Sequence, residues 1–384
     1  MNTLIQEINR KAEHCPCGRH VRIEMHCSIG QGVLLQLPDY LTQVQCRNVL
    51  IVCDSNTWHA AGQKVARMLQ QAGLSHQVCS VAPDALGDVI ADEQSIVEIM
   101  LETTSETDCI LAVGPGTIHD LVRFVCAKLH KRFISVPTAA SVDGFTSAGA
   151  PLIIRGTKKT IQTTSPAAMF ADTDVMMQAP KSLTAAGFGD MLGKYTSLAD
   201  WKFSRETANE PFCPVVYELT QEALACCVEA IDEIACGTEA GIRKLFEALT
   251  ISGFAMLLAD HSRSASGAEH HLSHYWEMDG IRNGKKQLLH GAKVGVAAII
   301  IARLYRGLAE DDRFPYGAIF RDIPQPEQLA ALLHAVGAPT TPEELGIGSS
   351  LVERSLKEAF LLRERSTGLR WINMNNGWDF LNRN

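Results

Sequence analysis

The sequence predicts a parallel α/β domain followed by an all-α domain, with the functional site in the cleft between them. Apolar runs alternate with amphipathic helical patterns between residues 47 and 138, as in a parallel sheet with right-handed crossovers. No strand pattern follows Asp174, and helical periodicity dominates the rest of the chain. We therefore place the boundary near Pro180, with an α/β domain over residues 1–180 and a helical domain over residues 181–384.

Each predicted element of the α/β half is bounded by a turn signal. The first strong strand, residues 48–54, is β-branched and ends in an acid, and the helix after it closes at Gly73. Further strands are predicted at residues 76–83, 109–114 and 133–138, with helices at 95–103 and 120–130. Helices of the second half are predicted at residues 190–204, 217–235, 239–260, 269–277, 294–310, 327–338 and 351–365.

Composition and charge exclude several classes of protein. The chain has 384 residues, 46% of them hydrophobic, and is long enough for two cores. A net charge of −8 without a long basic stripe argues against nucleic-acid binding. The N-terminal segment lacks the apolar core of a signal peptide, and the longest apolar run, residues 294–302, is far shorter than the ~20 residues of a membrane span. We expect a globular protein of enzyme size that stays in the cytoplasm, with no nucleic-acid or membrane partner.

Side chains at the ends of three predicted strands indicate a nucleotide site, because ligands of a parallel, Rossmann-like sheet bind beyond its carboxyl ends. Asp54 could accept hydrogen bonds from ribose hydroxyls, and the turn at Gly114 and Gly116 could admit a pyrophosphate to a helix N-terminus. The next strand is followed by further polar groups, on Thr138, Ser141, Asp143 and Ser147. Each signal has a structural alternative: Asp54 as a helix cap, and the glycines and hydroxyl residues as ordinary turn residues.

A histidine-rich segment of the helical half suits a divalent metal. In a helix, His270 and His274 lie one turn apart on one face, whereas His271 points elsewhere. His290 begins a second helix, and Asp190 comes from a third element. Imidazole and carboxylate together suit zinc, nickel or ferrous iron, and three protein ligands leave a position open for substrate. The alternative is a histidine pair that is only solvated or hydrogen-bonded.

A second cluster near the N-terminus is another candidate for metal binding. The chain has 12 cysteines, which we expect to be reduced and mostly buried. The cluster consists of His14, Cys15, Cys17, His20, His26 and Cys27. Its Cys-x-Cys spacing lacks the paired Cys-x-x-Cys knuckles of zinc ribbons, so a structural metal and plain buried thiols both stay open.

Five spaced motifs carry a family resemblance: GPGTIHD at 114–120, PTAASVDGFTS at 137–147, GFGDMLGKYTSLADW at 187–201, SGAEHHLSH at 266–274 and LLHGAKV at 288–294. In this order they resemble the glycerol-1-phosphate dehydrogenases, particularly the bacterial branch, and the CPCGRH segment is similar to that branch too. The family lies in the superfamily of iron-containing alcohol dehydrogenases, glycerol dehydrogenase and dehydroquinate synthase. The resemblance implies a dehydroquinate synthase-like fold, with an NAD(P)-binding α/β domain and a helical metal- and substrate-binding domain.

The resemblance also implies residue roles and a reaction. The family's metal ligands match Asp190, His270 and His290, and its substrate-contacting residues match Asp143 and His274. Its nucleotide-binding positions match Asp54, Gly114, Gly116, Thr117, Ile118, His119, Asp120, Thr138, Ala139, Ala140, Ser141 and Ser147. The implied reaction is the reversible reduction of dihydroxyacetone phosphate, a small phosphorylated three-carbon substrate, to sn-glycerol-1-phosphate. It uses NADH or NADPH and one zinc or nickel ion, and a homodimer is implied.

Several alternatives stay open at this point. Asp54 favours NAD(H) over NADP(H), because a carboxylate repels a 2′-phosphate, but a nearby cation could permit both. His274 could relay a proton, because imidazole titrates near neutral pH, or could only orient the substrate. Lys194, Lys158 and Arg155 are candidates for binding the substrate phosphate. A polyol dehydrogenase, a dehydroquinate synthase-like cyclase and a metal-binding regulator that uses the cysteine cluster are the alternative functions.

Overall fold

A six-stranded parallel sheet forms the first half of the fold, and the computed structural model describes residues 1–378 of the chain. Its strands and a separate hairpin are β1 (His26–Gly30), β2 (Asn48–Cys53), β3 (Ser75–Ser80), β4 (Cys109–Gly114), β5 (Arg132–Pro137), β6 (Gly149–Ile154), β7 (Thr157–Gln162) and β8 (Ala168–Asp172). The strand order is β1-β8-β5-β4-β2-β3, and β6 pairs antiparallel with β7. The carboxyl ends of β2, β4 and β5 therefore lie side by side, where the sequence predicts the nucleotide site.

Helices cover both faces of the sheet because its central strands are apolar on both sides. Alternate residues of β2 enter separate hydrophobic clusters: Val49 and Ile51 join one, and Leu50 and Val52 join the other. The helices of this half are α1 (Asn2–Glu13), α2 (Leu37–Gln43), α3 (Ser55–Thr57), α4 (Gln63–Gln71), α5 (Glu93–Glu102), α6 (Gly116–Leu129) and α7 (Thr173–Met176).

The second half is helical, and no strand follows β8 within residues 1–378. Its helices are α8 (Lys181–Leu192), α9 (Lys194–Ala208), α10 (Pro214–Glu229), α11 (Ile231–Cys236), α12 (Glu239–Ala259), α13 (Ala268–Arg282), α14 (His290–Ala309), α15 (Gly317–Phe320), α16 (Pro326–Ala335), α17 (Ser349–Glu358) and α18 (Gly368–Met374). Their apolar faces form one large cluster that includes Trp201, Phe246 and Tyr305. α1 joins this cluster through Ile5 and Ile8, although it precedes the sheet in sequence.

The predicted fold class is confirmed, with local differences. β1 and β8 were not predicted because each has only five residues, and the hairpin was not predicted because β7 is largely polar. α6 begins at Gly116, ahead of the predicted start at Asp120. The helix predicted at residues 217–235 is two helices that meet at Ala230. Among the described helices, none combines the length and the apolar character that crossing a membrane requires.

Candidate metal and nucleotide site

A cleft of about 570 Å³ is lined both by loops at the carboxyl ends of the strands and by helices of the second half. A space of this size is typical of a small-molecule or cofactor site. Its lining includes ten of the predicted site residues: Asp54, Gly116, Thr117, Asp120, Ser141, Asp143, Ser147, His270, His274 and His290. The structure therefore brings residues from both halves of the chain to one place.

Asp190, His270 and His290 form a cluster of metal-type donors beside the cleft. They come from α8, α13 and the first residue of α14, and one ligand atom from each lies within 4.8 Å of the others. His270 Nε2 is 3.7 Å from Asp190 Oδ1. The rings of His270 and His290 have centroids 5.2 Å apart. Side chains that are 20 to 100 positions apart in sequence thus converge on one point.

Gly189 on α8 and Gly291 on α14 allow the backbones of the two helices to touch where they cross. A Cβ on Gly291 would lie 2.6 Å from the carbonyl carbon of Ala186 and closer still to its oxygen, and a Cβ on Gly189 would lie 3.2 Å from the carbonyl carbon of Gly291. The crossing leaves no room for a side chain on Gly291. It places Asp190, on α8, next to His290 at the start of α14.

A buried carboxylate orients His270. Glu269 Oε1 lies 2.7 Å from His270 Nδ1, and Glu269 also accepts hydrogen bonds from the Thr196 hydroxyl at 2.6 Å and the Gly267 N–H at 2.6 Å. Burial alone would raise the pKa of Glu269, but these hydrogen bonds and the neighbouring imidazole lower it to about 2. An ionised carboxylate only accepts, so His270 donates from Nδ1 and its Nε2 lone pair is free for a cation shared with Asp190.

Lys194 joins Asp190 to the loop after β5. Its buried Nζ lies 2.9 Å from Asp190 Oδ1 and 2.8 Å from Asp143 Oδ2. Burial alone would lower the pKa of Lys194, but the two carboxylates raise it above its ordinary value, so the ammonium stays charged. The Asp143 N–H also donates to Asp190 Oδ2 at 3.0 Å, and the Ser252 hydroxyl donates to Asp143 Oδ2 at 2.9 Å. Lys194, a sequence candidate for phosphate binding, does not line the cleft.

His274 faces the cleft one helical turn from His270, with ring centroids 6.2 Å apart. Its Nδ1 lies 3.2 Å from Arg363 Nη2, and a guanidinium only donates, so Nδ1 accepts and Nε2 carries the proton. Burial, followed by the charges of Arg363 and Lys158, holds the pKa of His274 well below its ordinary value. His274 is therefore a neutral imidazole with one N–H group to donate.

Two lysines surround a single carboxylate at one end of the cleft. Lys158, on β7, lies 2.8 Å from both carboxylate oxygens of Glu277, and Lys293 lies 2.9 Å from Oε2. Burial alone would raise the pKa of Glu277, but the two ammonium groups lower it well below its ordinary value. With Arg363 in the same lining, this end of the cleft is positive. Arg155, the remaining sequence candidate for phosphate binding, is exposed and lies outside the lining.

The N-terminus of α6 opens on the cleft without a side-chain cap. Its N-cap residue is Pro115, and Gly116 and Thr117 line the cleft, so the positive end of the helix dipole lies there. Asp54 follows β2 and caps α3, where its Oδ1 accepts from the Thr57 N–H at 2.8 Å. The same side chain lines the cleft, so the capping alternative and a ligand role are compatible.

Six predicted nucleotide residues lie behind the cleft wall: Gly114, Ile118, His119, Thr138, Ala139 and Ala140 are buried and outside the lining. His119 packs α6 against β5, with Nδ1 2.9 Å from the Pro115 carbonyl oxygen and Nε2 2.8 Å from Ser135 Oγ. Burial lowers the pKa of His119 to about 3. Its neutral ring therefore serves packing in this structure.

Arg123 supports the cleft from behind its wall and was not predicted from the sequence. Its buried guanidinium donates to three backbone carbonyls in the segment after β5, those of Gly144, Phe145 and Gly149. It also lies 3.3 Å from Asp120 Oδ1. Burial raises the pKa of Asp120 to about 7 against the opposing charge of Arg123. Arg123 thus fixes the loop that carries Asp143, and an arginine within the apolar pattern of α6 was the available signal.

Comparisons with known proteins agree with this architecture. A family model described as iron-containing alcohol dehydrogenase matches residues 28–180. A protein from Geobacillus stearothermophilus named glycerol-1-phosphate dehydrogenase (NAD(P)+) is 48% identical over 398 residues, which cover 97% of this chain and 98% of that protein. A protein of the same name from Bacillus subtilis (strain 168) is 46% identical over 356 residues, 90% of each chain.

Solved structures support the fold. A glycerol dehydrogenase from Schizosaccharomyces pombe superposes with a TM-score of 0.69 at 19% identity, covering 89% of this chain and 83% of that one. Similarity at that identity bears on the fold alone. The near full-length relatives in sequence are decisive for the family, and they confirm the resemblance drawn from the five motifs. The chain belongs to the glycerol-1-phosphate dehydrogenase family.

Proposed function

We propose that this protein catalyses the reversible NAD(P)H-linked reduction of dihydroxyacetone phosphate to sn-glycerol-1-phosphate. One observation carries the proposal: a metal-type donor set, an uncapped helix N-terminus and a positive pocket meet at a single cleft. Each group suits one component of the reaction, namely the metal, the dinucleotide and the phosphorylated substrate. The names of the near full-length relatives support the same reaction.

Asp190, His270 and His290 are the proposed ligands of one divalent ion, Zn²⁺ or Ni²⁺. Two imidazoles and one carboxylate suit both metals, and the ligand atoms are close enough to share an ion. His270 offers Nε2 because Glu269 holds Nδ1. When bound, the metal supplies Lewis-acid polarisation of a carbonyl and NAD(P)H supplies the hydride.

His274 and Asp143 are proposed to position the reacting groups. Since the pKa of His274 is held well below its ordinary value, we propose that it orients the substrate through its N–H group instead of acting as an imidazolium acid. Asp143 shares Lys194 with Asp190, so it holds the loop after β5 in register with α8. This connection joins the nucleotide side of the cleft to the metal side.

Lys158, Lys293 and Arg363 are the proposed phosphate-binding residues. They line the cleft on the side of His274, and two of them share Glu277. Charge-assisted hydrogen bonds to a phosphate are stronger than neutral ones and give the site a preference for a phosphorylated ketone. Dihydroxyacetone, which lacks the phosphate, would forgo them.

The α6 N-terminus and Asp54 are the proposed dinucleotide contacts. The helix end suits a pyrophosphate, and the carboxylate suits ribose hydroxyls and favours NAD(H), with NADP(H) as a weaker alternative. Thr117, Ser141 and Ser147 add hydroxyl groups to the same wall. We also propose residues 1–180 as the NAD(P)-binding domain and 181–384 as the metal- and substrate-binding domain, in a cytoplasmic homodimer.

The first test follows NADH absorbance with metal-depleted protein that is then given Zn²⁺ or Ni²⁺. We expect metal-dependent NADH loss with dihydroxyacetone phosphate and little with dihydroxyacetone. Equal rates with both ketones would instead identify a polyol dehydrogenase. Conversion of a phosphorylated substrate without net NADH loss would identify a cyclase.

A pair of neighbouring lysines tests the phosphate site. Lys158→Ala should lower kcat/KM for dihydroxyacetone phosphate by about 10–100-fold, which corresponds to about 1.4–2.8 kcal/mol of charge-assisted hydrogen bonding. Its slow turnover of dihydroxyacetone should not change. Lys159→Ala is the matched control, because Lys159 is the next residue and is exposed. Equal losses with both substrates in Lys158→Ala would contradict phosphate binding by this lysine.

A further inference from the structure

Four side chains outside the cleft lining converge at the start of α10. Cys15, Cys17 and His20 come from the segment after α1, and Cys213 is the N-cap residue of α10. All four ligand atoms lie within 4.8 Å of one another, and none of the four residues lines the cleft. Two of the thiols, those of Cys15 and Cys213, are buried.

This cluster differs from the one that the sequence suggested. His14 lies apart with its Nδ1 2.9 Å from the Arg10 carbonyl oxygen, and His26 lies in β1 with its Nε2 3.2 Å from Ser28 Oγ. Cys27 is also in β1 and is buried away from the group. Cys213, 198 positions from Cys15, takes the fourth place. Sequence spacing could not reveal that partner.

The distances match a tetrahedral metal site. The Cys15 sulfur lies 3.4 Å from that of Cys17 and 3.7 Å from that of Cys213. His20 Nε2 lies 3.3 Å from Cys17 Sγ and 3.1 Å from Cys213 Sγ. Ligands on one zinc ion are separated by roughly 3.8 Å between sulfurs and roughly 3.5 Å between sulfur and nitrogen. A disulfide bond, by contrast, needs sulfurs about 2.05 Å apart.

The local backbone suits thiolate ligands. A turn closes with the Gly18 N–H 3.2 Å from the Cys15 carbonyl oxygen, and Gly18 has a φ of 61°, which a glycine adopts without strain. Cys213 sits at the positive end of α10, where the Val216 N–H lies 3.4 Å from its sulfur. Such N–H groups stabilise the negative charge of a metal-bound sulfur.

We propose that Cys15, Cys17, His20 and Cys213 bind a structural Zn²⁺ ion, distinct from the metal of the cleft. Three thiolates and one imidazole form a closed Cys₃His set that leaves no position for substrate. Soft sulfur ligands select zinc over the harder cations. The ion fastens the segment before β1 to the helices of the second half, where the Val21 N–H also donates to the Leu258 carbonyl at 2.9 Å.

X-ray absorption at the zinc edge of the wild-type protein tests the proposal without any variant. The donor set of the cleft contains no sulfur, so a Zn–S shell at about 2.3 Å would come from the cysteine site alone. The same shell should persist in Asp190→Ala, which removes a proposed ligand of the other metal. Absence of sulfur from the zinc shell of the wild-type protein would overturn the proposal, whatever its activity.

Metal content and thiol reactivity of matched variants provide the second measurement. Cys213→Ser should lower the zinc content by about one ion per chain, while Cys226→Ser, an exposed residue of α10, should leave it unchanged. Cys17→Ala should cause the same loss of zinc. Because Cys17 is partly exposed, this substitution disturbs the hydrophobic core less. Unchanged zinc content in both site variants would overturn the assignment, as would free thiols or a disulfide at these cysteines in wild type.

Discussion

Gly291→Ala is predicted to separate two of the proposed metal ligands. The new Cβ would lie 2.6 Å from the carbonyl carbon of Ala186, whereas carbon atoms pack at about 3.5–4.0 Å. The two helices that cross at Gly291 must therefore move apart by about 1 Å. Metal–ligand distances tolerate only about 0.2 Å, so His290 would leave the position that it shares with Asp190.

Both stability and metal affinity should fall in this variant. Overpacking should lower the free energy of unfolding by about 1–3 kcal/mol. Metal affinity should fall by at least about 10–100-fold, which is the typical loss when a residue that only orients a ligand is changed. Thermal unfolding and metal retained against a graded series of chelator concentrations measure the two effects separately.

Gly280→Ala is the matched control for Gly291→Ala. Gly280 lies within α13, and the nearest atom to its added Cβ is Gln287 Nε2 at 3.9 Å, so alanine fits. It should retain metal and stabilise the helix by about 0.5–1 kcal/mol. If Gly291→Ala bound metal and melted like the wild type, the helix crossing would not be what sets the ligand geometry.

Three further substitutions test the groups around the cleft. Glu269→Gln removes the charge that orients His270 and should weaken metal binding by about 10–100-fold in chelator competition; unchanged affinity would contradict that role. Arg123→Met leaves Asp120 and the loop carbonyls without their donor. The free energy of unfolding, measured in urea, should fall by about 3–5 kcal/mol. A loss of less than about 1 kcal/mol would contradict this role of Arg123. His119 has a folded-state pKa of about 3, below its ordinary 6.5, so the unfolded chain takes up the proton first and stability falls as the pH drops below about 6.5. His119→Gln should remove about 2 kcal/mol of that loss between pH 7 and pH 5, and identical pH profiles would refute the argument.

Periodicity and strand-end chemistry were sufficient to predict the fold class and the edge of the sheet where the cleft lies. β2, β4 and β5 are mostly apolar runs of six residues, and β2 is followed by Asp54 while β4 ends in Gly114, so their pattern stands out from the sequence. β1 and β8 are too short for such a pattern, although each completes the sheet by pairing with the other. β1 in particular forms a strand only with a partner more than 130 positions away.

In the candidate site, too, local features were predictable from the sequence and contacts between distant segments were not. Helical spacing predicts that His270 and His274 share a face, and the structure places them so. Spacing does not predict that Lys194 joins Asp190 to Asp143, nor that Arg123 holds the loop carbonyls, because these contacts form between distant segments. A buried cation has no signature in sequence other than its presence in an apolar pattern.

The position of the N-terminal segment also constrains how the chain folds as it is synthesised. The sheet can form once β8 has emerged. Val21, however, cannot make its hydrogen bond until Leu258 has been synthesised, and α1 cannot be buried until the helices that pack against it have formed. At about 5–20 residues per second, that interval lasts roughly 10–50 s. A segment that is synthesised before the sheet is thus among the last to be protected, and the apolar side of α1, with Ile5 and Ile8, is open to misassociation until then.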